Sequence, residues 1–273
     1  MKNVLFCLLA IGLVGCGKEP QSDLNSYCKN PKELVDVAQY EGTTAFSKES
    51  IEDISSSVGM LIYKDIKLCT VTAISDYEIV TAHHCLQGNE DQEKSEYKIT
   101  FNYKKDLNGN VNEEKLLNYG IEEFVSKGND DNIDSPDAVI IKLDAKIDSS
   151  VKRRWFSSDK PTIGQNIAIV QHPKGKPLMV DVGNISALDK RGFFEYDNIS
   201  TLSGSSGASI FDENGNILGL HVRGGCSQYV DGGNVGLSMK LLYEKHTWFH
   251  VKLKDQFDKI IEKIKENIKI PYL

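Results

Sequence analysis

The sequence predicts an all-β fold of the barrel type that ends in a helix. Three observations lead there. Short runs of β-branched and aromatic residues recur between turn signals. No stretch of helical period separates them, which argues against alternating strand–helix units. After residue 252 the apolar period changes from two to that of a helix.

The expected strands are 59–63, 69–74, 77–80, 97–103, 138–143, 166–171, 178–185, 193–196, 208–211, 217–222 and 236–240. Alternation puts Tyr97, Ile99, Phe101 and Tyr103 on one face. Asn108-Gly109-Asn110 is a turn signal, and Asp212-Glu213-Asn214-Gly215-Asn216 reads as a hairpin loop. Between 252 and 270, Phe257, Ile260, Ile261, Ile264 and Ile268 recur at helical spacing with charges of both signs between them. That pattern is an amphipathic helix packed on the preceding barrel.

The chain has 273 residues, 40% hydrophobic and 26% charged, enough for one large β domain or two small ones. A net charge of −7 with no basic cluster argues against nucleic acid as a partner. Lys2 precedes the apolar run Val4-Leu5-Phe6-Cys7-Leu8-Leu9-Ala10-Ile11, which ends near Gly15-Cys16. It is too short for a permanent span and reads as a signal peptide over residues 1–15. Leu13-Val14-Gly15-Cys16 resembles the bacterial lipobox. The resemblance implies cleavage before Cys16, acylation of that residue and a membrane held through the lipid anchor. By resemblance to enteric lipoproteins, Gly17 in place of Asp implies passage to an outer membrane where the cell has one. Residues 16–50 are expected as a lipidated tether with one short helix near 31–35, and 51–273 as the folded domain.

Export permits disulfides. With Cys7 removed and Cys16 acylated, Cys28, Cys69, Cys85 and Cys226 remain, an even number consistent with two bridges. No Cys-x-x-Cys is present, so neither a zinc ribbon nor a thiol redox motif is supported.

Three segments carry chemistry. Ile79-Val80-Thr81-Ala82-His83-His84-Cys85 runs from a strand into histidine. In Ser135-Pro136-Asp137-Ala138-Val139-Ile140-Ile141-Lys142-Leu143 an aspartate immediately precedes an apolar strand. Ser203-Gly204-Ser205-Ser206-Gly207-Ala208-Ser209-Ile210-Phe211 places serine in a glycine-rich turn that enters another. Each alone is weak. The order His, Asp, Ser is specific, because other serine hydrolases run the same three groups in other orders.

In that order the segments resemble the chymotrypsin-like serine proteases. Thr-Ala-His-His-Cys is similar to the family's Thr-Ala-Ala-His-Cys, and Asp-Ala-Val-Ile-Ile-Lys-Leu to its Asp-Ile-Ala-Leu-Leu-Lys-Leu. Gly-Ser-Ser-Gly-Ala-Ser stands where Gly-Asp-Ser-Gly-Gly-Pro is usual. The resemblance covers roughly residues 55–245. It implies two six-stranded antiparallel barrels with the site between them, and a serine endopeptidase acting through an acyl-enzyme. His84, Asp137 and Ser206 become the triad, and the N–H groups of Gly204 and Ser206 the oxyanion hole. Cys69 is implied as the partner of Cys85, which leaves Cys28 for Cys226. Polypeptides are the implied substrates, and neither a metal nor an organic cofactor is implied. The competing readings are a restricted hydrolase on the same triad and a catalytically silent binding lipoprotein.

The departures are informative. His84 rather than His83 directly precedes Cys85, and Ser206 rather than Ser205 is followed by Gly207. Gly204-x-Ser206-x-Ala208 also brushes the α/β-hydrolase elbow, but a strand and hairpin follow it where a helix is required. Ser205 stands where the trypsins carry the aspartate that pairs with a new N-terminus, so that activation switch is absent. Ser200 replaces the aspartate that selects basic side chains.

Tyr196-Asp197-Asn198-Ile199-Ser200-Thr201 and Gly219-Leu220-His221-Val222-Arg223-Gly224-Gly225 are similar to segments of the bacterial glutamyl endopeptidases. Val170-Gln171-His172-Pro173-Lys174-Gly175-Lys176-Pro177 resembles a segment of the same branch. This implies Thr201 and His221 as the lining of a pocket for an acidic side chain, with Arg223 where the relatives have Trp.

Overall fold

Alternating apolar residues fold into two antiparallel sheets in a computed structural model that describes residues 33–86, 93–127, 136–196, 198–224, 226–227, 230–231 and 233–245. Strand β1 (Val35–Asp36) comes first, then helix α1 (Lys48–Ser55). The first sheet contains β2 (Val58–Tyr63), β3 (Ile66–Ala73), β4 (Glu78–Thr81), β5 (Tyr97–Phe101), β6 (Leu117–Tyr119), β7 (Ile121–Lys127) and β8 (Val139–Leu143). Its order is β6-β5-β2-β3-β4-β8-β7. β6 pairs with β5 and β7 with β8, so the single segment 117–127, bent at Gly120, joins both edges and closes a six-stranded barrel.

The second sheet repeats the device. It contains β9 (Asn166–Gln171), β10 (Met179–Asn184), β11 (Ala187–Leu188), β12 (Phe193–Tyr196), β13 (Ser209–Phe211), β14 (Ile217–Arg223) and, beyond the ribbon of β15 (Cys226–Ser227) and β16 (Val230–Asp231), β17 (Asn234–Ser238). Its order is β1-β10-β9-β13-β14-β17-β12-β11. β10 pairs with β9 and β11 with β12, so segment 179–188 closes another six-stranded barrel, with β1 added outside. The expected architecture of two six-stranded barrels is therefore present, and helix α2 (Met239–Lys245) follows the last strand.

β4 and β8 are buried on both faces. Ile79, Val139 and Ile141 point into the first barrel, where they meet Leu61, Val71, Ile99 and Phe101. Val80 and Ile140 face the other way, into a seam shared with Ala168, Val170, Phe211 and Leu220 of the second barrel. This is why consecutive apolar residues, Ile79-Val80 in β4 and Val139-Ile140-Ile141 in β8, replace strict alternation in both strands. The second barrel has its own interior, built from Ile167, Ile169, Phe194, Tyr196, Ile210 and Leu218.

The seam corrects the expected tether. Residues 35–50 do not stay outside the fold: Val37, Tyr40 and Phe46 are buried in the seam cluster, and Val35 pairs with Val180. Of the helix expected near 31–35, the described residues 33–35 are not helical; Val35–Asp36 is strand, and a helix lies at Lys48–Ser55. Ser47 caps it, its Oγ accepting the Ser50 N–H at 3.1 Å, and Ile51 and Ile54 enter the seam on one helical face. Burying each isoleucine contributes about 1.5–3 kcal/mol. Arg154, on the connection between barrels, donates to Ser57 Oγ at 3.1 Å and to the Asp53 carboxylate at 2.7 Å, locking α1 to that connection.

Two further boundaries differ. The strand expected over 97–103 ends at Phe101, because Asn102 adopts φ 64°; Tyr97, Ile99 and Phe101 keep the shared buried face. The last expected strand shifts to Asn234–Ser238, with α2 beginning at Met239. The signal peptide, Cys16, Cys28 and the helix expected over 252–270 lie outside the described residues.

Candidate active site

The doubly buried strands aim the first two groups. Thr81 of β4 pairs with Val139 of β8, so the residues leaving β4 and those entering β8 meet at one end of the sheet. A 3-10 turn, His83–Cys85, carries His84 there. The His84 N–H donates to Asp137 Oδ1 at 2.8 Å, and His84 Nδ1 lies 2.5 Å from Asp137 Oδ2. One carboxylate thus holds both the backbone and the ring of the histidine. Nδ1–H donating to the carboxylate leaves the Nε2 lone pair as acceptor. The Asp137 side chain is 11% exposed and that of His84 30%, so the pair is sheltered at its carboxylate and open at its imidazole.

Cys69 and Cys85 form a disulfide with Cα atoms 6.0 Å apart, tying the histidine turn to β3. His84, Cys69 and Cys85 bring potential metal-ligand atoms within 4.8 Å of one another, but the sulfurs are bonded to each other and do not offer thiolates. The second expected bridge, through Cys28, lies outside the described residues.

The serine turn sits against the same strand ends. An ideal Cβ on Gly207 would come within 1.9 Å of Thr81 Oγ1 and 2.7 Å of the Ala82 nitrogen, so only glycine, here at φ 77°, lets the turn approach the histidine strand. Ser205 is fully buried, and its Oγ accepts the Leu202 N–H at 3.0 Å; it belongs to the turn's interior. Ser206 is partly exposed.

Peptide planarity sets the direction of two N–H groups. The Ser203 carbonyl accepts the Lys174 N–H at 2.5 Å, and the Ser205 carbonyl accepts the Ala208 N–H at 3.0 Å. The N–H on the far side of each peptide, from Gly204 and Ser206, therefore points the opposite way. Neither donates to a backbone carbonyl among the described residues.

The residues expected to line a specificity pocket are buried near this turn, with one exception. Thr201 Oγ1 donates to Asn234 Oδ1 at 2.8 Å, and Asn234 Nδ2 donates to the Ile199 carbonyl at 2.7 Å. His221 lies on β14, where its carbonyl accepts the Gly207 N–H at 2.8 Å. Its Nδ1 is 2.5 Å from the Tyr196 hydroxyl. Burial pushes His221 down to about 3, with positive charge on His84 acting in the same sense and the Asp137 carboxylate against it. His221 is therefore a neutral hydrogen-bonding group. Burial also raises the Tyr196 phenol well above its usual value. Arg223, at the end of β14 beyond a register shift, is exposed.

Sequence reading missed three supports. Asn234 holds Thr201. Asp181 Oδ2 accepts the Ser200 N–H at 2.8 Å. Thr70 touches the serine turn through both backbone and side chain. Their residue types carry no signal of this, since each is recruited by tertiary contact.

Two barrels with a histidine–aspartate pair and a glycine-bounded serine between them define the chymotrypsin-fold class. The family of trypsin-like peptidase domains matches residues 69–220, and the chain belongs to it. Solved structures of similar fold include a Glu endopeptidase in complex with MPD, 20% identical over 79% of this chain and 98% of the other, with a TM-score of 0.57. A serine endoprotease from Yersinia pestis is 17% identical over 78% and 68% of the two chains, with a TM-score of 0.54. Neuropsin, a serine protease of mouse brain, is 15% identical over 74% and 96%, with a TM-score of 0.55. No curated protein matches the sequence.

Proposed function

We propose that the protein is a serine endopeptidase whose nucleophile is Ser206. The observation that carries this reading is the two-point grip of Asp137 on His84, at 2.8 and 2.5 Å, beside a turn that buries Ser205 and presents Ser206. A serine hydroxyl is a weak nucleophile until a base takes its proton. His84 Nε2 is that base and later protonates the leaving amine. Asp137 fixes the tautomer and stabilises the imidazolium. The N–H groups of Gly204 and Ser206 receive the oxyanion of the tetrahedral intermediate. An acyl group is transferred to Ser206 and then to water. Hydrolysis of an unfolded protein substrate by the mature chain, abolished in Ser206→Ala, is the expected result; equal turnover by that variant refutes the assignment.

The finer proposal is cleavage after glutamate. Thr201 and His221 support it by their match to the glutamyl enzymes, and a Glu endopeptidase is among the structural neighbours. With the Tyr196 hydroxyl as the donor to His221 Nδ1, 2.5 Å away, the imidazole proton lies on Nε2 as a donor for a substrate carboxylate. A neutral donor binds Glu by hydrogen bonding, so the preference should not follow a histidine titration. A peptide library should rank Glu first at pH 6 and pH 8 alike, and His221→Ala should weaken that rank. Preference for aliphatic or aromatic residues, untouched by His221→Ala, defeats this part alone.

We further propose that Cys16 is acylated and anchors the mature protein to the cell envelope. Cys16→Ser should leave the protein soluble or with its leader uncut, whereas detergent-free release of the unmutated mature protein contradicts the anchor.

A further inference from the structure

We infer that Thr70 is a positioning residue that holds both oxyanion donors against the histidine-bearing strand; this rests on the triad reading above. Thr70 lies on β3 next to Cys69 and is fully buried. Pairing of β3 with β4 stops at Thr72–Val80, which releases the Thr70 backbone on that side from the ladder. Its N–H donates to the Ser206 carbonyl at 2.9 Å. Its Oγ1 donates to the Gly204 carbonyl at 2.8 Å and accepts the His172 N–H at 3.0 Å. Its carbonyl accepts Thr81 Oγ1 at 2.8 Å. One residue of the first barrel therefore grips both residues that supply oxyanion donors, as well as the strand that leads to His84.

The side chain has its own part in this. The Gly204 carbonyl belongs to the peptide that follows the Gly204 N–H, and the Ser203 carbonyl to the peptide that carries it. Lys174 N–H fixes the Ser203 carbonyl, and Thr70 Oγ1 fixes the Gly204 carbonyl, so the glycine is pinned on both sides although its φ of 93° leaves it free to turn. Thr70 Oγ1 also braces the loop that supplies Lys174, through His172 N–H. Without the hydroxyl, the Gly204 peptide loses its anchor and its N–H loses its aim. An oxyanion develops only in the transition state, so the loss falls on kcat and spares KM.

The test compares Thr70→Val, Thr70→Ser and Thr72→Val in the full mature chain. Thr72 is equally buried on the same strand, but its Oγ1 has no hydrogen-bond partner among the described residues. Thr70→Val should lower kcat by about 10²-fold with KM within about threefold. Thr70→Ser, which keeps the hydroxyl, and Thr72→Val should both stay near the parent. If Thr70→Val is recovered unfolded, Thr70→Ala against Thr70→Ser reads the same hydroxyl. Unchanged kcat in Thr70→Val, or an equal loss in Thr72→Val, overturns the assignment while the parent remains active. A parent that turns over nothing defeats the triad reading and, with it, this one.

Discussion

Asp137 contributes two acceptors to one histidine, and this double grip defines what its replacement should do. Asparagine keeps the shape but offers an amide where Nδ1–H needs a carboxylate oxygen, which favours the wrong tautomer. Turnover in Asp137→Asn should fall by about 10⁴; near-normal turnover would remove Asp137 from the mechanism. The His172 site carries a different expectation. That ring is fully buried, its Nδ1–H donates to the Lys176 carbonyl at 2.9 Å, and burial holds it down to about 4. A folded value below the unfolded one means the unfolded chain binds more protons in acid. The stability contributed by neutral His172 is present above its unfolded value near pH 6.5, and it is lost as pH falls through about 4. His221 acts in the same direction, down to about 3. His172→Asn retains a donor for Lys176 and removes the titration, so its melting temperature should fall less between pH 7 and pH 4 than that of the parent. Parallel curves would contradict the account. The three residues proposed as catalytic were legible in the sequence because their order and flanks are distinctive. The neutrality of His221 was not, because it follows from burial beside Tyr196 rather than from its neighbours in the chain.

At the scale of the element, the disulfide and the serine turn hang on the same strands. Cys69 and Cys85 are separated by 16 positions, and closing such a loop stabilises by about 3 kcal/mol in the chain-entropy model. Replacing both cysteines with alanine should lower unfolding free energy by about that amount, read from denaturant titration, with a slope no shallower than the parent's because the freed unfolded chain exposes more surface. No change in midpoint would mean that the bridge does not constrain the unfolded chain. β4 and β8 were legible because burial on both faces writes consecutive apolar residues, Ile79-Val80 and Val139-Ile140-Ile141. β6 and β7 were not: the segment through Gly120 alternates sheet partners, and Glu122 and Glu123 interrupt its pattern. β1 is two residues long and leaves no period to read. In each case the missing information is a partner strand distant in the chain.

Across the whole molecule, the seam is what makes the site. His84 and Asp137 come from one barrel and Ser206 from the other, and the three are held only as well as the two bodies are held together. Phe46, Ile51 and Ile54 of the N-terminal segment fill that seam beside Val80, Ile140 and Phe211. Ile54→Ala should therefore destabilise the entire domain by about 2–5 kcal/mol in one cooperative transition. A separate early melting step confined to the N-terminal segment would show that the segment is not part of the seam. Sequence reading placed the domain boundary at residue 50 because 16–50 is polar on average. A few anchoring side chains do not change an average, yet they decide whether a segment packs.

The proposed mechanism requires that Ser206, and not its neighbour Ser205, is an activated nucleophile between the barrels. A fluorophosphonate probe with peptide mapping by mass spectrometry tests it most directly. One adduct per chain is expected, on Ser206, retained in Ser205→Ala and absent from Ser206→Ala and His84→Ala. An unlabelled parent protein, or an adduct mapped to Ser205, would contradict it.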